Sequence, residues 1–156
     1  LQADWEGDVL LVTQNVDGLH QKAGASAIHM HGELSRALCA ACAHRWDAPL
    51  EMSAGDTCPA CHAPSARPDI VWFGEMPYHM ERILDAIQTF DLFAAIGTSG
   101  QVYPAAGVVE EARLAGAATV ELNLRDSDMS HAFEHHILGP ASRTVPVWVD
   151  QILTGK

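Results

Sequence analysis

The chain has 156 residues, of which 48% are hydrophobic and 19% charged, a composition that suits one folded domain with a small appended module. Its formal net charge of −11 disfavours nucleic acid as a partner, because neutralising phosphates requires clustered Lys and Arg. No apolar run approaches the length of a membrane span. With four cysteines in metal-binding spacing and no targeting segment, we expect a cytoplasmic protein without a membrane partner.

The amino-terminal part predicts one buried strand and one short helix. The strand covers residues 8–13, a polar loop covers 14–19, and the helical piece ends at Gly24. Residues 36–68 are rich in Pro, Gly, Ala and Ser and show little apolar periodicity. A bound metal must therefore hold this segment together, because it has no core of its own.

All four cysteines lie in that segment, as two C-x2-C pairs separated by fifteen residues. Two such pairs, brought together, form the tetrahedron of thiolates that structural Zn²⁺ prefers. Iron takes similar ligands, and two disulfides would require an oxidising compartment. His44 and His62 lie close enough to replace a ligand, but with four sulfurs present we expect them at the surface. The predicted ligands of one structural Zn²⁺ are Cys39, Cys42, Cys58 and Cys61.

The rest of the chain alternates strands and helices. In chain order, the predicted elements are a strand over 69–73, a helix from Pro77, a strand over 92–96 that breaks into Gly97-Thr98-Ser99-Gly100, a helix over 105–115, a strand over 119–124, and a helix over 147–153 after Pro146.

This alternation predicts an α/β fold, a partial Rossmann-like open parallel sheet with an inserted zinc ribbon. We expect the sheet domain to cover residues 1–35 and 69–156 and the ribbon to cover 36–68. Ligands of such sheets bind at the carboxyl ends of the strands. Three polar loops are therefore expected to converge on one crevice, namely residues 13–20, 97–100 and 123–126.

Six motifs occur in a fixed order along nearly the whole chain. They are T-Q-N-V-D-G-L-H at 13–20, H-G at 31–32, the four cysteines, V-W-F-G-E at 71–75, G-T-S at 97–99 and N-L at 123–124. This series resembles the sirtuins, which are NAD-dependent protein lysine deacylases. Residues 28–34 and 72–77 look most like the bacterial CobB-like branch.

The resemblance implies a role for each matching residue. His31 matches the catalytic base, which takes a proton from the NAD ribose hydroxyls. The residues implied to bind NAD are Gln14, Asn15, Val16, Asp17, Gly97, Thr98, Ser99, Asn123, Leu124, Arg125 and Ala141. Those implied to bind an acylated lysine peptide, on a strand that pairs with it, are Val71, Trp72, Phe73, Gly74 and Glu75.

Taken without the motifs, several of these residues have ordinary explanations. An isolated His31 would be a core or surface histidine, and Asp17 would be a turn former. His29 alternates with His31 on the predicted strand, so a metal pair is an alternative, although no third ligand is evident. We expect the remaining histidines, including His135 and His136, to be solvated.

The chain departs from the sirtuin pattern in its amino-terminal part. It has no glycine-rich turn for the pyrophosphate, no flexible cofactor loop and no Tyr-x-x-Arg pair for acidic acyl groups such as succinyl. It opens at Leu1 rather than at a methionine, which predicts a fragment whose open sheet edge is covered by a completing amino-terminal segment or by a second copy.

The predicted function is NAD-dependent removal of acyl groups from protein lysines, which yields nicotinamide, free lysine and O-acyl-ADP-ribose. The acyl group could be acetyl, succinyl or malonyl. One alternative is a zinc-stapled module that binds acyl-lysine peptides or another partner without turnover. ADP-ribosyl transfer is a further alternative, because it would use the same NAD-binding residues.

Overall fold

The computed structural model describes residues 1–99 and 107–155, which form two compact units. One unit covers Asp8–Met80, and the other covers Leu1–Gly7 with Glu81–Lys156. Two of the sheets formed by the described residues are parallel and the third is antiparallel. This confirms the predicted α/β class. Within the described ranges, none of the helices combines the length and the apolar character needed to cross a bilayer.

The unit Asp8–Met80 begins with a two-stranded parallel sheet. Strand β1 (Leu11–Thr13) pairs with β2 (Ala27–His29), and helix α1 (Leu19–Lys22) lies between them in the chain. Only the last three residues of the apolar run at 8–13 pair as a strand. The helix ends at Lys22, two residues before the predicted end, and the turn that follows it reaches Gly24, which has a φ of +78°.

An antiparallel sheet follows in the same unit. Its strands are β3 (Gly32–Cys39), β4 (Arg45–Asp47) and β5 (Ala66–Ile70), in the order β4-β3-β5. The register between β3 and β5 shifts between Glu33 and Ala37, which marks a β-bulge. Strands β3 and β5 flank the cysteine-bearing segment, and their pairing connects both of its ends to the rest of the unit.

The prediction of a strand over residues 69–73 was wrong in its second half, because β5 ends at Ile70. The next residues form a tight turn instead, in which the Glu75 N–H donates to the Trp72 carbonyl at 2.9 Å. Gly74 has a φ of +90°, which a strand does not allow. The expectation that His29 and His31 share one strand was also wrong, since β2 ends at His29 and β3 begins at Gly32.

The second unit contains a three-stranded parallel sheet. Its strands are β6 (Leu92–Ile96), β7 (Ala118–Asn123) and β8 (His135–Leu138), in the order β6-β7-β8, and its helices are α2 (Met80–Ile87), α3 (Val108–Leu114), the 3-10 helix Ser130–Ala132, and α4 (Ala141–Thr154). The strands predicted over 92–96 and 119–124 are confirmed to within one residue. Of the helix predicted over 105–115, residues 105 and 106 lie outside the described residues, as does Gly100.

Helix α2 begins at Met80 and not at the predicted Pro77, and two further elements of this unit differ from the sequence-based predictions. Strand β8 was not predicted at all, because a four-residue stretch that begins with two histidines lacks the apolar run of a buried strand. The last helix begins at Ala141 and not after Pro146, which lies inside it. Pro140 precedes the helix with an extended conformation and is its true start signal, since its carbonyl accepts the Thr144 N–H at 3.0 Å.

The core of the second unit lies between β7 and α3. Helix α3 buries Val109 and Ala112, and β7 buries Val120 and Leu122. Burying one such aliphatic side chain contributes about 1.5–3 kcal/mol. A cluster around Val109 also contains Ala132, Phe133, Phe93, Ala95 and Met129. This packing supports β7, whose carboxyl end leads into one loop of the candidate site.

Candidate catalytic and metal sites

His31 lies in the two-residue connection between β2 and β3, and the main chain fixes this connection from two directions. Its carbonyl accepts a hydrogen bond from the Val71 N–H at 2.9 Å. The preceding residue, Met30, accepts from the Tyr78 N–H at 2.8 Å and donates to the Thr13 carbonyl at 3.1 Å. The backbone that carries the imidazole is therefore held by β1 and by the chain that follows β5.

The imidazole of His31 is half-buried, and its Nδ1 lies 3.1 Å from the main-chain carbonyl oxygen of Gln14. A carbonyl can only accept a hydrogen bond, so Nδ1 must carry the proton. In the neutral ring, Nε2 then keeps its lone pair and can accept a proton. This is the tautomer that a general base needs.

The residue after His31 has to be glycine. Gly32 has a φ of +80°, and a Cβ at this position would lie 2.0 Å from the carbonyl oxygen of Asp69. The close approach lets β3 pair with β5 directly beside the histidine, with Gly32 opposite Ile70. The H-G motif therefore combines a reactive group with a backbone position that only glycine can occupy.

The loop over residues 14–18 runs beside this connection. The Leu34 N–H donates to the Val16 carbonyl at 2.9 Å, and the Asn15 N–H donates to Thr13 Oγ1 at 3.1 Å. Asp17 Oδ1 accepts the Leu19 N–H at 2.9 Å and so forms a turn directly before α1. The structure thus places Gln14 and Val16 against the His31 segment, and it gives Asp17 the turn-forming role that the sequence alone suggested.

The sequence suggested His29 only as half of a metal pair, but the structure places it in a polar cluster of the same unit. His29 is 7% exposed, its Nε2 contacts the Gln21 side-chain amide, and it lies 3.8 Å from the Glu33 carboxylate. Gln21 also donates to Glu33 at 3.0 Å. The cluster joins α1, β2 and β3, which is the arrangement of a structural core histidine.

The predicted substrate-binding residues form a turn that Arg67 stabilises. Arg67 Nη2 donates to both carboxylate oxygens of Glu75, at 2.9 and 3.1 Å, and its guanidinium lies 4.3 Å from the centre of the Trp72 ring. The Trp72 N–H donates to Glu75 Oε2 at 2.9 Å. That N–H and the Arg67 guanidinium lower the pKa of Glu75. Phe73 at the tip of the turn is fully exposed.

The four cysteines converge as predicted. Their sulfurs all lie within 4.8 Å of one another, with Cys39 Sγ 3.6 Å from Cys61 Sγ and Cys42 Sγ 3.7 Å from Cys58 Sγ. A tetrahedral zinc site with bonds of about 2.3 Å has sulfur–sulfur edges of about 3.8 Å. None of the four forms a disulfide, so the donor set fits a structural zinc ion.

The two C-x2-C pairs have the same local geometry. In the first, the Ala43 N–H donates to the Cys39 carbonyl at 2.9 Å; in the second, the His62 N–H donates to the Cys58 carbonyl at 3.0 Å. Ala43 and His62 both adopt the left-handed conformation, with φ of 58° and 60°. His62 therefore completes the second turn through its backbone, and it is not one of the grouped ligands.

The thiols of this site need a cation to ionise together. Burial opposes ionisation of Cys39, but backbone hydrogen bonds from Cys42 and Ala41 lower its pKa to about 7. At Cys42 a backbone hydrogen bond from His44 favours the thiolate, yet the Cys61 sulfur and burial raise its pKa to about 12. A divalent ion bound between the sulfurs would compensate this charge and keep all four deprotonated.

In the second unit, the structure brings together two of the predicted cofactor loops. Asn123, at the end of β7, donates from Nδ2 to the Thr98 carbonyl at 2.7 Å and accepts the Leu124 N–H at 2.9 Å. The Gly97 N–H donates to the Leu122 carbonyl at 3.0 Å. The loop after β6 and the loop after β7 are thus joined through one amide side chain.

A buried carboxylate supports this pair of loops. Glu121 has no exposed surface, and it accepts hydrogen bonds from the Ser130 hydroxyl and from Asn123 Nδ2, the latter at 3.5 Å. His136 Nδ1 lies 3.4 Å from it, although His136 itself is partly exposed. Burial opposes the ionised form, but hydrogen bonds from Ser127 and the other partners outweigh it and lower the pKa of Glu121.

The remaining residues predicted to bind the cofactor lie at the start of a helix or in an exposed loop. Ala141 is the first residue of α4, and both Leu124 and Arg125 are exposed after β7. Their contacts with a nucleotide stay predictions, as does the convergence of residues 13–20 with the loops of the second unit. Glu121 could not be found from the sequence, because a glutamate within an apolar strand has no motif of its own.

Comparison with known proteins gives consistent matches. A family model described as the Sir2 family matches residues 2–104. NAD-dependent protein deacylases of Bdellovibrio bacteriovorus and Leishmania major are 51% and 50% identical over 152 and 151 residues, which cover 96% and 95% of this chain and 63% and 62% of theirs. The NAD-dependent protein deacylase of Escherichia coli K12 is 49% identical, with 94% and 53% covered. The chain spans 53–63% of the length of these relatives.

Solved structures show the same similarity. A Sir2 homologue in complex with 2'-O-acetyl ADP ribose has a TM-score of 0.84 and 28% identity, covering 94% of this chain and 61% of that one. A Sir2 homologue–NAD complex has a TM-score of 0.80 and 28% identity, with 94% and 57% covered. Sir2Af2 bound to a myristoylated histone peptide has a TM-score of 0.76 and 26% identity, with 94% and 66% covered.

Proposed function

We propose that this chain, which belongs to the Sir2 family, forms the larger part of an NAD-dependent protein lysine deacylase. The observation that carries the proposal is the hydrogen bond between His31 Nδ1 and the Gln14 carbonyl, which leaves Nε2 able to accept a proton. The products of the proposed reaction are nicotinamide, free lysine and O-acyl-ADP-ribose.

His31 acts as the general base in this proposal. When bound, NAD supplies the ribose from which nicotinamide leaves and to which the acyl group is transferred. Nε2 of His31 takes a proton from a ribose hydroxyl, while the Gln14 carbonyl accepts the hydrogen on Nδ1 and so keeps Nε2 unprotonated. The left-handed Gly32 and the bond from Val71 keep the backbone of the histidine in place.

Two loops of the second unit are proposed to bind the nucleotide sugar. Asn123 uses both ends of its amide within the protein, on Thr98 and Leu124, so its proposed role is to hold the two loops together. Gly97 and Ser99 are small, which allows backbone groups to approach a ribose or a phosphate closely. The NAD complex of a similar Sir2 protein supports this assignment.

The turn after β5 is proposed to bind the acylated lysine peptide. Phe73 and Trp72 expose apolar surface there, and the Arg67–Glu75 pair holds the turn in one conformation. A similar Sir2 protein binds a myristoylated histone peptide, which supports acyl-lysine proteins as the substrate class. We place the reaction in the cytoplasm, where thiols stay reduced and can bind zinc.

Zinc has a structural role in this proposal. Four thiolates complete a tetrahedral site and leave no coordination position for a substrate or a water molecule. The ion therefore holds β3, β4 and the two cysteine turns together, and the chemistry depends on His31 and the nucleotide.

The test is nicotinamide release from NAD in the presence of an acetyl-lysine peptide. We expect His31→Ala to lower the rate by about 100-fold or more, as loss of a general base does, and His131→Ala, a change at an exposed histidine, to leave it unaltered. A wild-type chain that binds the peptide but releases no nicotinamide would favour the binding-module alternative. Label from NAD that stays on protein would indicate ADP-ribosyl transfer.

A completing segment or a second copy stays a prediction. The outer strands of the parallel sheet expose Leu92 and Ile96 on β6 and Leu138 on β8, which supports such a partner. Size-exclusion chromatography with light scattering tests it, and a clean, stable monomer would contradict the dimer.

A further inference from the structure

A closed group of three polar side chains lies in the unit Asp8–Met80. The buried Asp69 carboxylate accepts a hydrogen bond from Arg45 Nε at 2.8 Å and from the Tyr78 hydroxyl at 2.8 Å. The Arg45 guanidinium also lies 5.3 Å from the centre of the Tyr78 ring. Burial and Asp69 raise the pKa of Tyr78, so its hydroxyl stays protonated and keeps donating. Each of the three side chains therefore contacts the other two.

This triad holds both chain neighbours of His31. Tyr78 donates its N–H to the carbonyl of Met30, directly before the histidine, at 2.8 Å. The carbonyl oxygen of Asp69 lies 2.0 Å from the point where a Cβ of Gly32, directly after the histidine, would be. A displacement of Tyr78 or Asp69 would thus move the backbone on one side of the imidazole.

The third member of the triad belongs to the zinc-binding ribbon. Arg45 begins β4, and it lies opposite Leu38 of β3, next to Cys39. The Cys39 N–H donates to the His44 carbonyl at 2.9 Å, so the first cysteine turn sets where Arg45 starts. The position of the guanidinium therefore follows from the geometry of the metal site.

We propose that Arg45, Asp69 and Tyr78 are positioning residues for His31, through which the ribbon sets the orientation of the imidazole. The inference rests on the proposed function for the catalytic role of His31. The zinc ion then has a second effect besides stabilising the fold, because the ribbon it holds supplies the arginine that fixes the Asp69 carboxylate.

Kinetics give the first test, with Arg45→Met and Tyr78→Phe as the variants. Both are expected to lower kcat about tenfold, as the loss of an outer partner of an active-site residue commonly does, while KM for the peptide is unchanged. Arg45→Lys keeps the charge and is expected to recover part of kcat. Arg36→Met is the matched control, because it removes the Arg36–Asp47 ion pair of the same ribbon and leaves the triad intact. Zinc content and melting temperature are measured for every variant.

The second test does not depend on turnover. In protein labelled with ¹⁵N-histidine, the imidazole shifts of His31 report which nitrogen carries the proton. We expect a single Nδ1–H tautomer in the wild type and in Arg36→Met, and a mixture of tautomers in Tyr78→Phe and Arg45→Met.

An unchanged His31 tautomer in both triad variants would overturn the inference, whatever happens to kcat, and would reduce the triad to a stabilising contact. If the wild type releases no nicotinamide but the tautomer still responds to the triad variants, the proposed function fails and the positioning role stands.

Discussion

Gly32→Ala offers a direct test of the backbone geometry around His31, with Gly24→Ala as its control. The two glycines have almost the same φ, +80° and +78°, but a Cβ at Gly24 would meet nothing within 4 Å. Left-handed strain alone costs an alanine about 1–2 kcal/mol, so this is the expected destabilisation for Gly24→Ala.

At Gly32 a second cost is added to the same strain. The new Cβ would lie 2.0 Å from the Asp69 carbonyl oxygen, and at least 3.0 Å is needed, so β3 and β5 must separate by about 1 Å or more. Such overpacking costs about 1–3 kcal/mol. Loss of the hydrogen bond from Val71 to His31 adds about 1 kcal/mol. We therefore expect Gly32→Ala to be about 2–4 kcal/mol less stable than Gly24→Ala.

The assay is urea-induced unfolding followed by far-ultraviolet circular dichroism, with the free energies of unfolding of the two variants compared at matched slopes. The difference between two alanine variants at nearly equal φ isolates the steric contribution, because the strain cancels. A difference below about 0.5 kcal/mol would refute the close approach of Gly32 to Asp69.

Three further predictions concern the other sites. Because the pKa of Glu121 is lowered in the folded state from its ordinary 4.5, its ionised form stabilises the fold above that pH, and this contribution is lost as pH falls through the lower folded pKa. Glu121→Gln should therefore make the free energy of unfolding less dependent on pH in this range. Urea titrations at several acidic pH values test this, and a pH dependence equal to that of the wild type would contradict it. Chelation of zinc should abolish hydrogen-exchange protection in β3 and leave β7 protected. An equal loss of protection in both strands would count against separate folding of the two units. Phe73→Ala should change the free energy of unfolding by less than about 0.5 kcal/mol, because the ring is fully exposed. It should nevertheless raise KM for an acyl-lysine peptide. An unchanged KM would remove Phe73 from the proposed substrate site.

The sequence predicted the elements whose signal is local. The apolar run at 92–96 became β6 with the same bounds, and the two C-x2-C pairs formed the metal site. The errors lie where two local signals competed. The apolar letters at 71–73 look like a strand, but the Glu75 carboxylate binds the Trp72 N–H and turns the chain. The last helix was predicted to begin after Pro146, which is six positions too late, because Pro140 already provides the extended residue before the helix.

The candidate site could be predicted only as far as motifs extend. His31 and Asn123 were found from their neighbours in the sequence, but their partners in space were not. Arg45 and Asp69 are 24 positions apart, and Glu121 and Ser130 are nine apart, so neither pair shows any periodicity. Polar pairs of this kind become visible only when the strands that carry them have been placed.

The contact that orients His31 uses the main-chain carbonyl of residue 14, so the tautomer depends on backbone position and not on the side chain found there. The side chain of Gln14 can therefore serve another purpose, such as the proposed contact with a ribose, without disturbing the His31 imidazole. The constraint falls instead on residues that set the backbone: Thr13, whose carbonyl binds the Met30 N–H, and Gly32, whose lack of a Cβ admits Asp69. A tautomer set by the backbone is kept only if these distances are kept, and they depend on the main-chain hydrogen bonds of Met30 and His31 and on the missing Cβ of Gly32.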